Sequence, residues 1–133
     1  MDMGLYIVTL RLDRARELTV GKLGRFSFPA GYYVYVGRAV RGLYARAARH
    51  RRKGKTLRWH IDYIREVADW VGVEVGFGRD GECGLARKVA GLPGAREVVP
   101  GFGASDCRCR THLFYFERWP WEIGREIWNR ETC

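Results

Sequence analysis

Between Gly31 and Lys53 the chain reads GYYVYVGRAVRGLYARAARHRRK, and this stretch gathers the side chains best suited to meeting a phosphate. Arg38, Arg41, Arg46, Arg49, His50, Arg51, Arg52 and Lys53 all fall in it, with no acid between Arg41 and Lys53. A guanidinium offers a planar fork of donors that matches two phosphate oxygens at once. His50 follows Arg46 by four residues, one helical turn on and on the same face. An imidazole titrates near neutrality, so such a residue could move a proton or contact phosphate. The alternative is a solvated charge run on a surface helix.

A second group of reactive side chains lies later. Cys107-x-Cys109-x-x-His112, with Cys83 as a fourth member, could supply zinc ligands, though the C-x-C spacing is tighter than the usual pair. A disulfide from Cys83 to Cys107 or Cys109 is another option. Free thiols remain the favoured expectation for these three and for Cys133. Asp106 and His112 could instead face an active site. His60 is a further candidate for nucleic-acid contact, set against a satisfied histidine on a helix surface.

These residues need elements to hold them. Residues 4–10 form a β-rich run, and 32–36 form a second strand that breaks at Gly37. From about Gly42 an apolar stripe at helical spacing predicts a basic helix over 43–53. A strand ending in Gly before a basic helix places cations beside exposed backbone N–H groups, an arrangement that suits a phosphate backbone. Thr56 is the expected cap of a second helix over 57–67, which carries His60 and Asp62. Residues 70–77 read as a third strand, 82–91 as a helix, 112–116 as a last strand and 119–130 as a closing helix. Short β segments at 18–20 and 25–28 suggest an antiparallel meander, since such short loops carry no crossover.

At 133 residues this is expected to be one α/β domain (α+β in its segregation): a small, mostly antiparallel central sheet flanked by helices. Hydrophobic residues at 47% and charged residues at 29% are a globular balance and give no disorder signature. The net charge is +9, and 20 of the 24 cations are Arg, which favours a polyanionic partner. No apolar run approaches a membrane span and no secretory signal is seen, so the expected location is the cytoplasm, away from membranes. Oligomeric state is not set by the sequence.

Gly4-Leu5-Tyr6 on the first strand, Tyr35-Val36-Gly37 on a later one, and Leu43-x-x-Arg46-x-x-x-His50 on the helix after it resemble the GIY-YIG nuclease superfamily. A single Glu at a later helix start, here Glu82, is similar to that family's one metal-binding carboxylate. Four longer blocks resemble more closely a small archaeal branch of Uri-type GIY-YIG proteins, also found fused to DNA-repair enzymes. They are Gly21 to Ala39, WHIDY (59–63), ECGLA (82–86) and PGFGASDCRCRTHLFYF (100–116). The resemblance covers about residues 3–117.

It implies a DNA endonuclease using one divalent ion, Mg²⁺ or Mn²⁺, held by Glu82 and recruited with the substrate, with no small-molecule cofactor. It implies that Tyr6 helps deprotonate the attacking water and that Tyr35 positions the water or the phosphate. Arg46 would stabilise charge on the scissile phosphate, and His50 would assist Tyr6. The gap from Gly37 to Arg46 is one residue longer than the family's, so Arg41 and Arg49 stay open as the functional Arg. Arg38, Arg41, Arg49, Arg51, Arg52, Lys53 and His60 would line the path of the nucleic acid, branched or single-stranded DNA included. The competing expectations are a catalytically silent module that binds branched or single-stranded nucleic acid or is an accessory to a repair enzyme, and a nucleoprotein or ribosome-associated binder. Tyr6 and Tyr35 would then be core-edge aromatics, and Glu82 a helix-start acid favoured by the dipole.

Overall fold

Nearly every position of GLYIVTLRL carries a β-branched, aromatic or aliphatic side chain, a pattern that suits a strand covered on both faces. In the computed structural model, which describes residues 4–77, 80–104 and 107–123, this run is Gly4–Leu12 (β1), and all of it but Arg11 is buried. It pairs antiparallel with Gly31–Ala39 (β4) on one side and Asp69–Phe77 (β5) on the other. Leu113–Phe116 (β6) adds to the far edge of β4, giving the order β5-β1-β4-β6. The expected mostly antiparallel sheet is therefore present, with longer strands than alternation alone suggested. Gly37 does not end β4, because the ladder pairs it with Tyr6 and runs on to Ala39.

Successive side chains of β1 and β4 point to opposite faces, so the sheet has two cores. Tyr6, Val8, Leu10, Leu12, Tyr33 and Tyr35 lie on one face. Leu5, Ile7, Val34 and Val36 lie on the other, against Leu85, Ala86 and Val89 of the helix Gly81–Ala90 (α3). Each such fully buried aliphatic contributes roughly 1.5–3 kcal/mol of transfer free energy. The hairpin of Arg16–Val20 (β2) and Gly24–Phe28 (β3) corrects the meander expectation. It forms its own two-stranded sheet, outside the direct β1–β4 pairing. A lone hairpin is marginal, and this one is anchored by burying Val20 and Phe28 in the first core.

The basic helix (α1) spans Leu43–Arg51, two residues short of expectation, and starts from Gly42 in the left-handed region at φ 62°. Its end is set by cations that cap its carbonyls. Lys55 Nζ donates to the carbonyls of Arg49, His50 and Arg52 at 3.1, 3.2 and 2.6 Å, and Arg65 Nε to that of Arg51 at 2.9 Å. The next helix (α2) is only His60–Arg65, and Thr56 is not its cap. The Asp62 carboxylate does that work, accepting the backbone N–H groups of Arg58 at 2.9 Å and Trp59 at 3.0 Å. Most of the closing helix expected at 119–130 lies outside the described residues, while Ile123 still reaches the second core. No helix among the described residues is long and apolar enough to cross a membrane.

Candidate active site

Tyr6 and Tyr35 share a sheet face because Tyr6 pairs with Gly37 and Tyr35 with Val8, two residues along the same ladder. Their ring centroids are 6.3 Å apart. Gly37 is required for this: a Cβ there would run into the Tyr6 ring and hydroxyl. Gly103 plays the same part for Tyr35, since a Cβ there would stand 2.7 Å from Tyr35 Cε1. Tyr6, Tyr35, Gly37 and Gly103 thus form the floor of an open cleft of about 840 Å³.

α1 crosses this floor with Ala47 and His50 turned inward. The small alanine lets the helix approach closely enough for His50 Nε2 to lie 2.9 Å from Tyr6 Oη. Only 1% of His50 is exposed, and burial pushes its imidazole down to about 4, with the cations Lys55, Arg49 and Arg46 adding and Asp62 opposing. His50 is therefore neutral at physiological pH, and its Nε2 can accept a hydrogen bond from the Tyr6 hydroxyl. Burial pushes Tyr6 up to about 12, Glu82 adds to this, and the Arg46 guanidinium pulls the other way by charge and hydrogen bond. Burial holds Tyr35 well above the ordinary phenol range. A protonated phenol beside a neutral imidazole is the kind of pair that general acid–base chemistry uses.

Arg46 and Arg49 share one shelf, the Trp59 indole, with guanidinium carbons 4.9 and 4.4 Å from the ring centroid. Their roles then diverge. Arg46 lines the cleft beside Tyr6 and donates to the Arg38 carbonyl at 3.1 Å. Arg49, expected among the phosphate ligands, instead turns to the fully buried Asp62, 3.2 and 3.3 Å from its two oxygens. Arg38 and Arg41 line the cleft, as does Arg58, which was not among the residues expected there. Arg51, Arg52 and Lys53 are exposed beyond the cleft at the end of α1. His60 lines the cleft too, but its Nδ1 already accepts the Gly103 N–H at 2.8 Å.

Glu82 enters from α3 and faces the same space. Its Oε1 is 3.1 Å from Arg38 Nε and its Oε2 is 3.2 Å from His112 Nδ1. The latter pair lacks hydrogen-bond alignment, so the buried His112 Nδ1 has no bonded partner. Beyond it stand three free thiols, Cys83, Cys107 and Cys109, whose sulfurs lie with a ring nitrogen of His112 within 4.8 Å of one another. This group could hold a metal ion. Burial, with the neighbouring thiols adding, pushes Cys109 up to about 12. Asp106 and Cys133 lie outside the described residues.

Tyr6, Tyr35, Arg46, His50 and Glu82 all border one cleft or its floor. The Trp59 shelf and the Asp62 anchor were not expected from the sequence. Their only trace was the WHIDY run, where an Asp at the third helical position, three residues beyond the N-cap Trp59, suits a backbone cap. No curated protein and no solved structure matches the chain. A family model does match over residues 5–127, and the chain belongs to the family described as Domain of unknown function DUF123.

Proposed function

We propose that this chain is a branch of the GIY-YIG nucleases and hydrolyses phosphodiester bonds in DNA. The observation that carries the reading is the 2.9 Å contact between Tyr6 Oη and His50 Nε2 beneath a cleft walled by Arg38, Arg41, Arg46 and Glu82. In the reaction, water directed at the phosphorus gives its proton to Tyr6 Oη while the Tyr6 proton passes to His50; the new P–O bond forms as the bond to the leaving sugar oxygen breaks, and that oxygen takes a proton from solvent at the open side of the cleft. Tyr35 restricts the water's position from the adjoining strand. Arg46, held on Trp59, meets the charge that grows on the phosphate oxygens. Arg38, Arg41 and Arg58 hold the flanking backbone.

Glu82 fits a hard divalent ion: one carboxylate projects from a helix start into an open cleft that Asp80 also lines. A Mg²⁺ or Mn²⁺ ion there, its shell completed by water and substrate phosphate, would neutralise charge on the transferring group. The thiol cluster is too soft a donor set for such an ion.

A binding module without cleavage is the second reading, favoured by the two cationic or potentially cationic groups already at Glu82. The two separate by assay. The chain is incubated with single-stranded, duplex, flapped and four-way DNA, with Mg²⁺, Mn²⁺ or chelator. Cleavage of at least one substrate that stops with chelator is the expected result. Tight binding to these DNAs with no cleavage under either metal overturns the nuclease reading in favour of the module.

A further inference from the structure

We propose that Cys83, Cys107, Cys109 and His112 form a closed, four-coordinate zinc centre. The centre would clamp the start of α3 to the segment before β6 and fix His112 against Glu82. Zinc takes thiolate sulfur at about 2.3 Å and imidazole nitrogen at about 2.0–2.1 Å in a tetrahedron. Those lengths place sulfur and nitrogen ligands about 3.6 Å apart, and two sulfurs about 3.8 Å apart. The Cys83 and Cys107 sulfurs already stand 3.8 and 3.5 Å from His112 Nε2. The most distant pair of donor atoms in the group is within 4.8 Å, so closure needs shifts of about 1 Å at most.

The donor set selects the ion. Three sulfurs and one imidazole in tetrahedral array suit zinc and are a poor set for magnesium, calcium or manganese. Donors gathered this tightly enclose one ion and leave no room for a polynuclear iron–sulfur cluster. All four positions of the tetrahedron come from the protein, so the centre is structural, with no open position for substrate.

The same arrangement accounts for His112. With Nε2 bound to zinc, the ring proton sits on Nδ1, the atom that lies 3.2 Å from Glu82 Oε2 without a bonded partner. A small ring rotation completes a carboxylate–histidine–zinc chain of the kind that orients metal ligands. Here it also runs in the other direction and holds Glu82 at the cleft wall. Cys83 is the residue after Glu82, so the clamp sets that carboxylate from both sides.

The test uses the untagged full chain purified without added metal. Elemental analysis should find close to one zinc per chain. Exchange with Co²⁺ should give the intense visible bands of a tetrahedral ion and thiolate-to-cobalt charge transfer. Cys109→Ser should lose zinc to a chelator at concentrations at least tenfold lower than the parent chain needs. His112→Cys should keep the metal with a fourth thiolate, and Cys133→Ser should leave stoichiometry unchanged. Glu82→Ala should weaken zinc binding on the order of 10–100-fold at the same stoichiometry. A folded, zinc-free chain that gives Co²⁺ only a thiolate-free octahedral spectrum overturns the centre. Iron in place of zinc overturns the metal's identity, and loss of zinc in Cys133→Ser overturns the ligand set. If Cys109→Ser does not fold, the parent chain's zinc content and cobalt spectrum decide alone. DNA cleavage does not enter this test, so its outcome is independent of the nuclease reading.

Discussion

Among the described residues, the Tyr6 hydroxyl has His50 as the base within hydrogen-bond reach, and that imidazole is held neutral by its own burial. Removing the hydroxyl while keeping the ring should therefore separate chemistry from binding. We expect Tyr6→Phe to lower DNA cleavage by roughly 10²–10⁴-fold in single-turnover assays, with unchanged DNA affinity. His50 also makes a stability prediction that needs no substrate. Its folded pKa of about 4 lies below the unfolded value near 6.5, so the unfolded chain binds more protons between them. The contribution is complete above pH about 6.5 and is lost as pH falls toward about 4, amounting to about 3 kcal/mol. His60, also lowered by burial, adds to this window. Asp62 is held below its ordinary range mainly by the Trp59 and Arg58 N–H groups, against its own desolvation, so its loss comes at lower pH. Urea unfolding across pH 4–7 should show the decline, and His50→Gln should remove most of it. At this scale the sequence was legible wherever a residue type carried its own chemistry. Tyr6, Tyr35, Arg46, His50 and Glu82 could be named, but Arg49 could not be told from its basic neighbours. What turns it inward is a carboxylate 13 positions away in the sequence.

That carboxylate organises two elements at once. Asp62 caps α2 through two backbone N–H groups, takes the Arg49 guanidinium, and lies 3.7 Å from Lys55, which in turn closes the end of α1. Removing one member of a fully buried charged network leaves the others uncompensated. Asp62→Ala should cost about 3–5 kcal/mol by chemical denaturation, whereas a change at the exposed Arg25–Glu17 pair should cost well under about 1 kcal/mol. Equal effects at the two sites would contradict the anchoring role. The strands and α3 were legible because period-two and period-3.6 patterns come directly from which side chains must be buried. The limits of α1 and α2 were not, because they depend on caps from Asp62, Lys55 and Arg65. Those partners are brought in by the fold. The separate β2–β3 hairpin was equally hidden, since its two short strands have the composition of a meander. Only the direct register of β1 on β4 excludes them from the main sheet.

For the molecule as a whole, the net charge of +9 favours a polyanionic partner, and the proposed function puts that partner at the cleft. Arg51, Arg52 and Lys53 extend the cationic surface past the cleft, so they should contact backbone without reading sequence. DNA affinity should fall steeply with salt, and replacing Arg51 and Arg52 together by Ala should reduce the log–log slope by about two. An unchanged slope would remove the end of α1 from the footprint. The charge was readable from composition. The thiol cluster was readable only as a spacing, because Cys83 lies 24 positions before Cys107 and is brought to it by α3 packing beneath the sheet. In the proposed reaction the carboxylate of Glu82 serves cleavage and not DNA capture. The most direct measurement compares parent chain and Glu82→Gln on one DNA substrate, scoring cleavage with Mg²⁺ or Mn²⁺ and binding without metal. This role for Glu82 predicts cleavage by the parent, none by Glu82→Gln, and binding by Glu82→Gln that is equal or slightly tighter, since a negative charge has left the cleft. Cleavage by Glu82→Gln at the parent's rate would contradict it.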